Sequence, residues 1–597
     1  MTNQYYLRLC ALRSVMEEKG WDAVVLRGSD PHASEFLVPR YQDVTWLSGF
    51  SGEAGDIVVT RDEAGLWTDS RYFIQARRQL EGSGIDLHKT RLPESEYIPQ
   101  FLARKLCRRV ACDSLCESVA AMEEIREACS GTEGFCLEGV PDLVEVVWKD
   151  RPGVPVSPIL TLDETSVGMT RAQKLEWLRG TLGPDDYVLI AALDEVAWML
   201  NVRGADIDYN PVVFSYLLVG REDAYWFVLK DEGQDDEDTQ DSFAAVETDG
   251  VAVERYDGVR DVLESIAGSG RTVRFDPSTL NGCLATTLGD AGVAAVSPVQ
   301  LKKSVKTPAE IEGFREAFLE DGLAVEKFLY WLETTVKERP VSEWEAACML
   351  GSLRAEIPGY QGDSFETISA WGPGAALPHY VTPSDGSTLI RPKGLYLCDS
   401  GGQYLFGTTD ITRTVPLGET TYLEKEDYTL VLKGMIDLST AVFPYGTAGC
   451  QIDALARIAL WRGGRNFGHG TGHGIGFFLN VHEGPQSIRQ NFLSQPLLPG
   501  MVTSNEPGVY REGMHGVRHE NVILCREAYT NDFGRWLCFE TLTCCHIDTS
   551  AVLPQLLTRE QAAWLNAYNA KVYENFAPAI EDEAFRQWLY TKTRPLE

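Results

Sequence analysis

The segment GLYLCDSGGQYLFGTTDITRTV (394–415) contains two apolar runs separated by the pair Gly401 and Gly402. A glycine pair between two such runs is typical of a turn, so the segment is predicted to form two strands joined across it. Asp399 ends the first strand and Asp410 lies on the second. An aspartate before a glycine pair is often only a turn former, but a hairpin of this kind can also bring the two carboxylates together.

Histidine is concentrated in the region that contains this predicted hairpin, residues 379–519. Residues 469–485 read HGTGHGIGFFLNVHEGP, and six of the chain's nine histidines lie in one region: His379, His469, His473, His482, His515 and His519. The glycines around His473 allow close approach of backbone and ligand, and they disfavour a helix. His469 and His473 are therefore not the paired histidines of a zinc-binding helix. Taken alone, His473 is more often a satisfied histidine at a core edge than a ligand.

Two glutamates further along the chain join Asp399, Asp410 and His473 as candidate functional residues. Glu506 precedes a proline turn in TSNEPGVY, and Glu520 enters the apolar run of GVRHENVILC. Glu506 alone could be an ordinary loop residue, whereas a carboxylate opening an apolar strand is costly unless it is paired or bound to a metal. Together, two Asp, one His and two Glu are the ligand types that a pair of hard divalent cations requires.

The region that carries these residues is predicted to open with a long helix. Thr307 and Glu310 form a capping box around Pro308 at the first helical position. Apolar residues then recur at helical spacing along one face, namely Ile311, Phe314, Phe318, Val325, Leu329 and Leu332. Near the other end of the chain, Thr558 and Gln561 predict a second capped helix.

The first half of the chain alternates strand-like and helix-like patterns, which indicates α/β architecture. DVTWLSGF resembles EVAWMLNVRG, and GLWTDS resembles AYWFVL, as expected of two diverged copies of one module. Proline-containing stretches follow each copy. We therefore predict domains at 1–156, 157–302 and 303–597, the last with a C-terminal extension from about residue 551.

Composition limits the possible partners. The formal net charge is −33, so phosphate backbones should repel the chain and nucleic acid is not expected as a partner. No apolar run approaches the roughly 20 residues that cross a bilayer, and the N-terminal residues do not read as a signal peptide. The fourteen cysteines are scattered among apolar residues, as in reduced cytoplasmic proteins. A cytoplasmic location away from membranes is expected.

Asp399, Asp410, His473, Glu506 and Glu520, in this order and spacing, resemble the metal ligands of the pita-bread metallopeptidases. HGTGHGIGFFLNVHEGP is similar to the aminopeptidase P (Xaa-Pro aminopeptidase) family of the long three-domain type. The resemblance extends over nearly the whole chain, through stretches such as DPHASEF, WLSGFSGEAG, DSGGQYLFGTTDITRT and WLNAYN. It implies two related creatinase-like α/β domains followed by a pita-bread catalytic domain.

The resemblance also implies roles for individual residues. Asp399 and Asp410 would bind one of two metal ions, His473 would complete the shell of the other, and Glu506 and Glu520 would contribute to both. Glu506 would deprotonate a water shared by the ions, and His482 would stabilise the tetrahedral intermediate. His379 and His469 would line a proline pocket, and Arg518 would hold a ligand Asp. The family favours Mn²⁺, while the oxygen-rich ligand set also suits Co²⁺, Fe²⁺ or Zn²⁺.

The implied activity is release of the first residue from peptides with proline in second position, by a homodimer whose front domains contribute to the contact. Two alternatives stay open, namely a prolidase-like dipeptidase and a pita-bread binding module that has lost catalysis. Three residues depart from the family pattern. His519 stands where an apolar residue is expected and should point away from the metals, Glu53 replaces a small residue, and Asn505 replaces an Asp common among relatives.

Overall fold

The computed structural model describes residues 3–230 and 236–596. The chain divides into two compact units, one formed by residues 1–164 and 169–299 and the other by residues 165–168 and 300–597. The α/β class predicted from the alternating pattern is confirmed, since helices and strands alternate throughout both units. The residue-level domain boundaries at 156/157 and 302/303 stay predictions.

The first unit begins with a six-stranded sheet flanked by helices. Its helices are α1 Gln4–Lys19, α2 Asp43–Ser48, α3 Phe73–Gln79, α4 Ile98–Arg104 and α5 Val119–Cys129. Its strands are β1 Ala23–Leu26, β2 Asp56–Thr60, β3 Ala64–Thr68, β4 Asp86–Lys89, β5 Arg109–Asp113 and β6 Cys136–Val140. The strand order is β4-β3-β2-β1-β5-β6, with β2 antiparallel to both of its neighbours. Strand β1 (AVVL) is buried along its whole length, as expected of an inner strand.

A second sheet follows in the same unit. The elements after β6 are β7 Leu160–Thr161, α6 Glu164–Val167, α7 Arg171–Arg179, β8 Asp186–Ile190, α8 Leu193–Leu200, β9 Val202–Arg203, β10 Ser215–Val219, β11 Ala224–Val228, α9 Glu237–Thr248, β12 Ala252–Arg255, α10 Val259–Gly268, β13 Thr272–Phe275, α11 Gly282–Leu288, β14 Gly292–Ala294 and α12 Pro298–Ser304. The sheet order is β12-β11-β10-β8-β13-β14. The middle strand β10 is antiparallel to β8 and β11, and the other pairs are parallel. Both sheets therefore share one topology, which confirms the predicted pair of related modules.

Polar contacts connect segments within this unit. Buried His32 hydrogen-bonds through Nδ1 to the Ala191 carbonyl and through Nε2 to the Tyr256 hydroxyl, each at 2.7 Å. His32 belongs to the first module and its two partners to the second. Glu53, the departure noted in the sequence, accepts a hydrogen bond from the Tyr72 hydroxyl at 3.0 Å.

The second unit contains most of α6 and α12 and all the elements that follow α12. Its long helices are α13 Pro308–Glu338, α14 Glu343–Arg354, α15 Tyr422–Ser439, α16 Gly449–Arg462, α17 Arg559–Phe576 and α18 Glu583–Lys592. Its strands are β15 Val341–Ser342, β16 Tyr360–Asp363, β17 Ile368–Trp371, β18 Leu389–Ile390, β19 Leu395–Ser400, β20 Gly402–Tyr404, β21 Gly407–Thr408, β22 Ile411–Pro416, β23 Val442–Pro444, β24 Gly472–Gly474, β25 Glu483–Ile488, β26 Val502–Asn505, β27 Gly508–Arg511, β28 His515–Arg518, β29 Asn521–Asn531 and β30 Gly534–Thr541.

Two sheets of this unit position the predicted site. One is the three-stranded sheet β17-β19-β22, and the other is the six-stranded sheet β23-β30-β29-β26-β24-β25. Strands β19 and β22 pair antiparallel with Asp399 opposite Thr412, so the predicted hairpin forms. The connection is longer than a turn at Gly401 and Gly402, because β20 and β21 form an excursion that pairs with β16. Asp410 lies just before β22 and not within it.

Both predicted capping boxes are present. Thr307 and Glu310 cap α13, and Thr558 and Gln561 cap α17, each through reciprocal side-chain-to-backbone hydrogen bonds. The predicted apolar face of α13 is buried except for Ile311, which is half-buried. All fourteen cysteines are free thiols. Across residues 3–230 and 236–596, no helix has the length and apolarity that membrane crossing requires.

Candidate metal centre

Five predicted ligands come from five different points of the second unit. Asp399 lies in β19, Asp410 before β22, His473 in β24, Glu506 between β26 and β27, and Glu520 before β29. His473 Nε2 lies 3.5 Å from Asp410 Oδ2 and 3.4 Å from Glu506 Oε1. Ligand atoms of Asp410, His473 and Glu520 all lie within 4.8 Å of one another. The strand register thus brings these side chains together from positions more than one hundred residues apart.

The orientation of His473 suits a metal ligand. Its Nδ1 lies 2.9 Å from the Gly474 carbonyl, which can only accept, so the Nδ1–H donates. In the neutral ring this leaves the lone pair of Nε2 directed at two carboxylates. A backbone carbonyl that fixes the opposite ring nitrogen is the usual arrangement around a metal-bound histidine.

Two carboxylate oxygens also indicate a cation. Asp399 Oδ1 and Glu520 Oε1 are buried, and neither has a hydrogen-bond partner within the described part of the chain. A buried carboxylate oxygen without a donor is strongly unfavourable unless a cation is bound to it. The residues therefore fit a pair of divalent ions with oxygen-rich coordination.

The electrostatics of the metal-free protein agree with this interpretation. Burial raises the pKa of Asp410 well above its usual range, and the charges of Glu520 and Asp399 raise it further. The pKa values of Glu506 and Glu520 are also raised, first by burial and then by neighbouring carboxylates. Carboxylates crowded into one buried site repel each other, and bound divalent cations would remove this repulsion.

A chain of hydrogen bonds runs from Asp399 to His469. Arg518 donates from Nε and Nη2 to Asp399 Oδ2, the former at 3.1 Å, and its Nη1 donates to the Tyr510 oxygen at 2.8 Å. The Tyr510 hydroxyl lies 2.8 Å from His469 Nε2, and the Gly470 carbonyl lies 2.7 Å from His469 Nδ1. Both ring nitrogens of His469 are thus engaged within the protein, and the Tyr510 hydroxyl donates to Nε2.

His379 and His482 also lie close to this group. The His482 ring centroid is 4.3 Å from that of His473, with the two rings nearly perpendicular. Burial lowers the pKa of His469 well below its usual value, and the charges of Arg518 and His379 are among the further causes. Contacts and distances thus bring together eight of the nine residues singled out in the sequence, and the ninth, His379, acts through its charge on His469.

The segment that carries His482 is fixed by a buried ion triad. Glu483 Oε2 accepts from Lys303 Nζ at 2.6 Å, and Oε1 accepts from Lys306 Nζ. All three side chains are at most 2% exposed. Both lysines belong to the LKKSVK stretch at residues 301–306.

Several neighbours were not identified from the sequence. Tyr510 joins Arg518 to His469, the Thr412 hydroxyl donates to Glu520 Oε2 at 2.9 Å, and the Ser504 hydroxyl donates to Glu506 Oε1 at 3.3 Å. Tyr510 and Ser504 lie in the same TSNEPGVY stretch as Glu506. Their proximity in sequence was the available signal, but it does not specify which side chain faces the centre.

Asn505 and His519, two of the departures from the family pattern, are both buried and make specific contacts. Asn505 is buried and donates to the Met435 carbonyl at 2.8 Å and to the Ser439 hydroxyl at 2.9 Å. His519 is buried between β28 and β29, with its ring 4.3 Å from that of Tyr428 in an edge-to-face contact. Burial lowers the pKa of His519 to about 3, so the ring is neutral at physiological pH.

Sequence comparison with known families covers most of the chain. The family model for metallopeptidase family M24 matches residues 312–527, and that for the C-terminal region of peptidase M24 matches residues 535–596. The model for the creatinase/prolidase N-terminal domain matches twice, at residues 8–143 and 150–310. The two matches coincide with the two six-stranded sheets of the first unit.

Individual relatives match over nearly the whole of this chain. Aminopeptidase P2 of Arabidopsis thaliana is 38% identical, over 99% of this chain and 88% of its own. A probable Xaa-Pro aminopeptidase P of Sordaria macrospora is 38% identical, over 98% and 99%. Among solved structures, X-prolyl aminopeptidase from Caenorhabditis elegans is 34% identical with a TM-score of 0.93, over 99% of this chain and 100% of its own. That protein is described as a cytosolic enzyme with a di-nuclear active site.

Proposed function

The chain belongs to metallopeptidase family M24, among relatives of the aminopeptidase P type, and from this premise we propose that it is a metal-dependent aminopeptidase. Its substrates would be peptides with proline in second position, and it would hydrolyse the bond between any N-terminal residue and that proline. The observation that carries the proposal is the cluster of Asp410, His473 and Glu520 ligand atoms within 4.8 Å of one another, together with the buried Asp399 Oδ1 and Glu520 Oε1, which have no hydrogen-bond partner among the described residues. These atoms form a site for cations in a chain whose full-length relatives bear the name Xaa-Pro aminopeptidase.

We assign the two ions to Asp399, Asp410, His473, Glu506 and Glu520, with Mn²⁺ as the expected metal. When bound, such ions acidify a water molecule and polarise a carbonyl group, which makes hydrolysis feasible near neutral pH. The protein's own part is to hold the ligands. Arg518 fixes Asp399 Oδ2, Thr412 fixes Glu520 Oε2, and Gly474 fixes the His473 ring.

Glu506 is proposed as the general base. Its Oε1 faces His473 Nε2 and accepts from Ser504. A carboxylate positioned in this way is suited to taking a proton from water. His482, whose ring centroid lies 4.3 Å from that of His473, is proposed to donate to the oxyanion that forms at the scissile carbonyl.

His379 and His469 are proposed to line a pocket for the proline ring. Because both nitrogens of His469 are already bonded, to Tyr510 and Gly470, this residue offers the face of its ring and not a donor. An Xaa-Pro bond is a tertiary amide without an N–H, so it suits a pocket that has no acceptor for that group. The bound peptide's ammonium would pair with Asp399.

We further propose a cytoplasmic homodimer whose front domains contribute to the contact. A prolidase-like dipeptidase and an inactive binding module are the competing functions. A dipeptidase should reject tripeptides, and a binding module should hold no stoichiometric pair of metal ions.

A short peptide series tests the proposed function. With Mn²⁺-loaded protein, we expect rapid release of arginine from Arg-Pro-Pro, at least about 10²-fold lower kcat/KM for Arg-Ala-Ala, and no cleavage of acetyl-Arg-Pro-Pro. An unpaired buried N–H costs about 1–3 kcal/mol and lost ring packing adds to it, while each 1.4 kcal/mol is about tenfold in rate. A mass-spectrometric time course measures all three. Comparable rates on the three peptides would contradict both the proline pocket and the amine site.

Replacing His482 by alanine should lower kcat by about 10²–10³-fold, the usual cost of losing one donor to an oxyanion. Metal content should stay unchanged, because His482 is assigned no metal. Steady-state kinetics together with elemental analysis separate the two effects, and His88→Ala in the first unit serves as the control. Loss of metal from the His482 variant would instead make this residue a ligand.

A further inference from the structure

Arg413 is a buried arginine that contacts the backbone of Glu520, one of the proposed metal ligands. It lies on β22, three residues after Asp410, and is only 1% exposed. The five N–H groups of its guanidinium are shared among six acceptors: His546 O at 3.0 Å, Thr412 O at 3.0 Å, Glu520 O at 2.5 Å, Asn521 Oδ1 at 2.9 Å, Cys545 O at 2.8 Å and the Tyr568 hydroxyl at 2.9 Å. No carboxylate of residues 3–230 or 236–596 forms an ion pair with it.

Burial of a guanidinium without an ion pair is unfavourable unless its N–H groups are hydrogen-bonded. The side chain is therefore held in one orientation by its six acceptors, which come from separate segments of the second unit. The planar guanidinium of arginine can donate to these acceptors simultaneously, and the single ammonium group of lysine cannot reproduce this geometry.

Glu520 is the ligand that this arrangement fixes. Its N–H donates to Thr412 O at 3.1 Å, its carbonyl accepts from Arg413 Nη1, and its Oε2 accepts from the Thr412 hydroxyl. Only Oε1 has no partner among the described residues. Thr412 and Arg413 thus determine where the one available oxygen of Glu520 points.

The far end of the arrangement lies on helix α17. The Tyr568 hydroxyl accepts from Arg413 Nη2 and lies 2.9 Å from Cys545 O and 3.0 Å from Thr543 O, to either of which it can donate. Helix α17 begins at its own capping box and packs through Leu565, Tyr568 and Val572 into the core of the unit. One hydroxyl group therefore links the C-terminal helix to the guanidinium that holds Glu520.

We propose that Arg413 and Tyr568 are positioning residues that form a strut between helix α17 and Glu520 and thereby set the affinity of the metal centre. The proposal rests on the metal-binding role proposed for Glu520. It assigns to the C-terminal extension a part in metal binding, although none of its residues is a ligand.

Tyr568→Phe tests the strut because it removes one oxygen and keeps the ring. Metal-free protein is titrated with Mn²⁺ by isothermal titration calorimetry, well below its thermal midpoint. We expect about tenfold weaker binding, at the lower end of what losing a residue behind a metal ligand costs. Tyr573→Phe is the matched control, since Tyr573 lies on the same helix and packs against Tyr590. Its Mn²⁺ affinity should equal that of the wild type.

Arg413→Lys is the second variant, with an expected loss of about 10–100-fold in Mn²⁺ affinity. In Xaa-Pro hydrolysis, Tyr568→Phe should lower kcat at subsaturating Mn²⁺ and leave KM unchanged. If Tyr568→Phe binds Mn²⁺ as tightly as the wild type, or if Tyr573→Phe weakens binding equally, the strut is wrong. If the wild type binds Mn²⁺ but cleaves no Xaa-Pro peptide, the proposed function fails, while the affinity comparison still decides on the strut.

Discussion

Replacing Glu506 by glutamine should lower kcat by about 10²–10⁴-fold, the range that a positioned general base contributes. The amide cannot take a proton from water, and it is a poorer ligand than a carboxylate. Glutamine preserves the length of the side chain and can still accept from Ser504, so the fold should not change. The effect should therefore appear in kcat at saturating Arg-Pro-Pro and in metal affinity, but not as a loss of thermal stability in the metal-free protein.

The experiment must separate two effects of the substitution, the loss of the general base and the loss of a metal ligand. Elemental analysis of the Glu506→Gln protein at saturating Mn²⁺ establishes how many ions remain, and kinetics on the same sample give kcat. Glu512→Gln is the control, because Glu512 is an exposed carboxylate only six residues further along the chain. Near-normal kcat with two bound ions would show that another group takes the proton.

Local signals account for the parts of the structure that the sequence predicted. A capping box involves residues three apart, so the starts of α13 and α17 could be read at Thr307 and Thr558 without tertiary information. The repeated module was predicted because DVTWLSGF resembles EVAWMLNVRG and GLWTDS resembles AYWFVL, within alternating strand and helix patterns. The ligand set was found because its residue types recur in glycine- and proline-containing stretches of an otherwise periodic sequence.

The supporting contacts could not be predicted because they join distant residues. Arg413 meets Glu520 across 107 positions and Tyr568 across 155, and Glu483 meets Lys303 across 180. An arginine inside the apolar strand ITRTV indicates that a buried partner must exist, but periodicity does not identify that partner. The excursion of β20 and β21 was missed for the same reason, since its pairing strand β16 lies about forty residues earlier.

Removing the metal ions should abolish peptide hydrolysis, and Mn²⁺ should restore it. The expectation follows from the site itself, because Asp399, Asp410, Glu506 and Glu520 converge there as the proposed ligands of the ions that would activate the attacking water. Dialysis against a chelator, followed by activity assays before and after adding Mn²⁺, tests this directly. Metal binding should also raise the thermal midpoint, since a ligand at 100 times its Kd stabilises the folded state by about 2.7 kcal/mol.

The same experiment has a defined pH dependence. Burial and mutual repulsion raise the folded-state pKa values of Asp410, Glu506 and Glu520 above their unfolded values of about 4. In the metal-free protein, these groups contribute stability that is present below pH 4 and is lost as the pH rises through the raised pKa values. Bound cations must displace the same protons, so Mn²⁺ affinity should increase with pH. The difference in thermal midpoint between Mn²⁺-loaded and metal-free protein should therefore widen from pH 5 to pH 8. Full activity in metal-free protein, or a difference that narrows with rising pH, would contradict the assignment of these carboxylates to the metal centre.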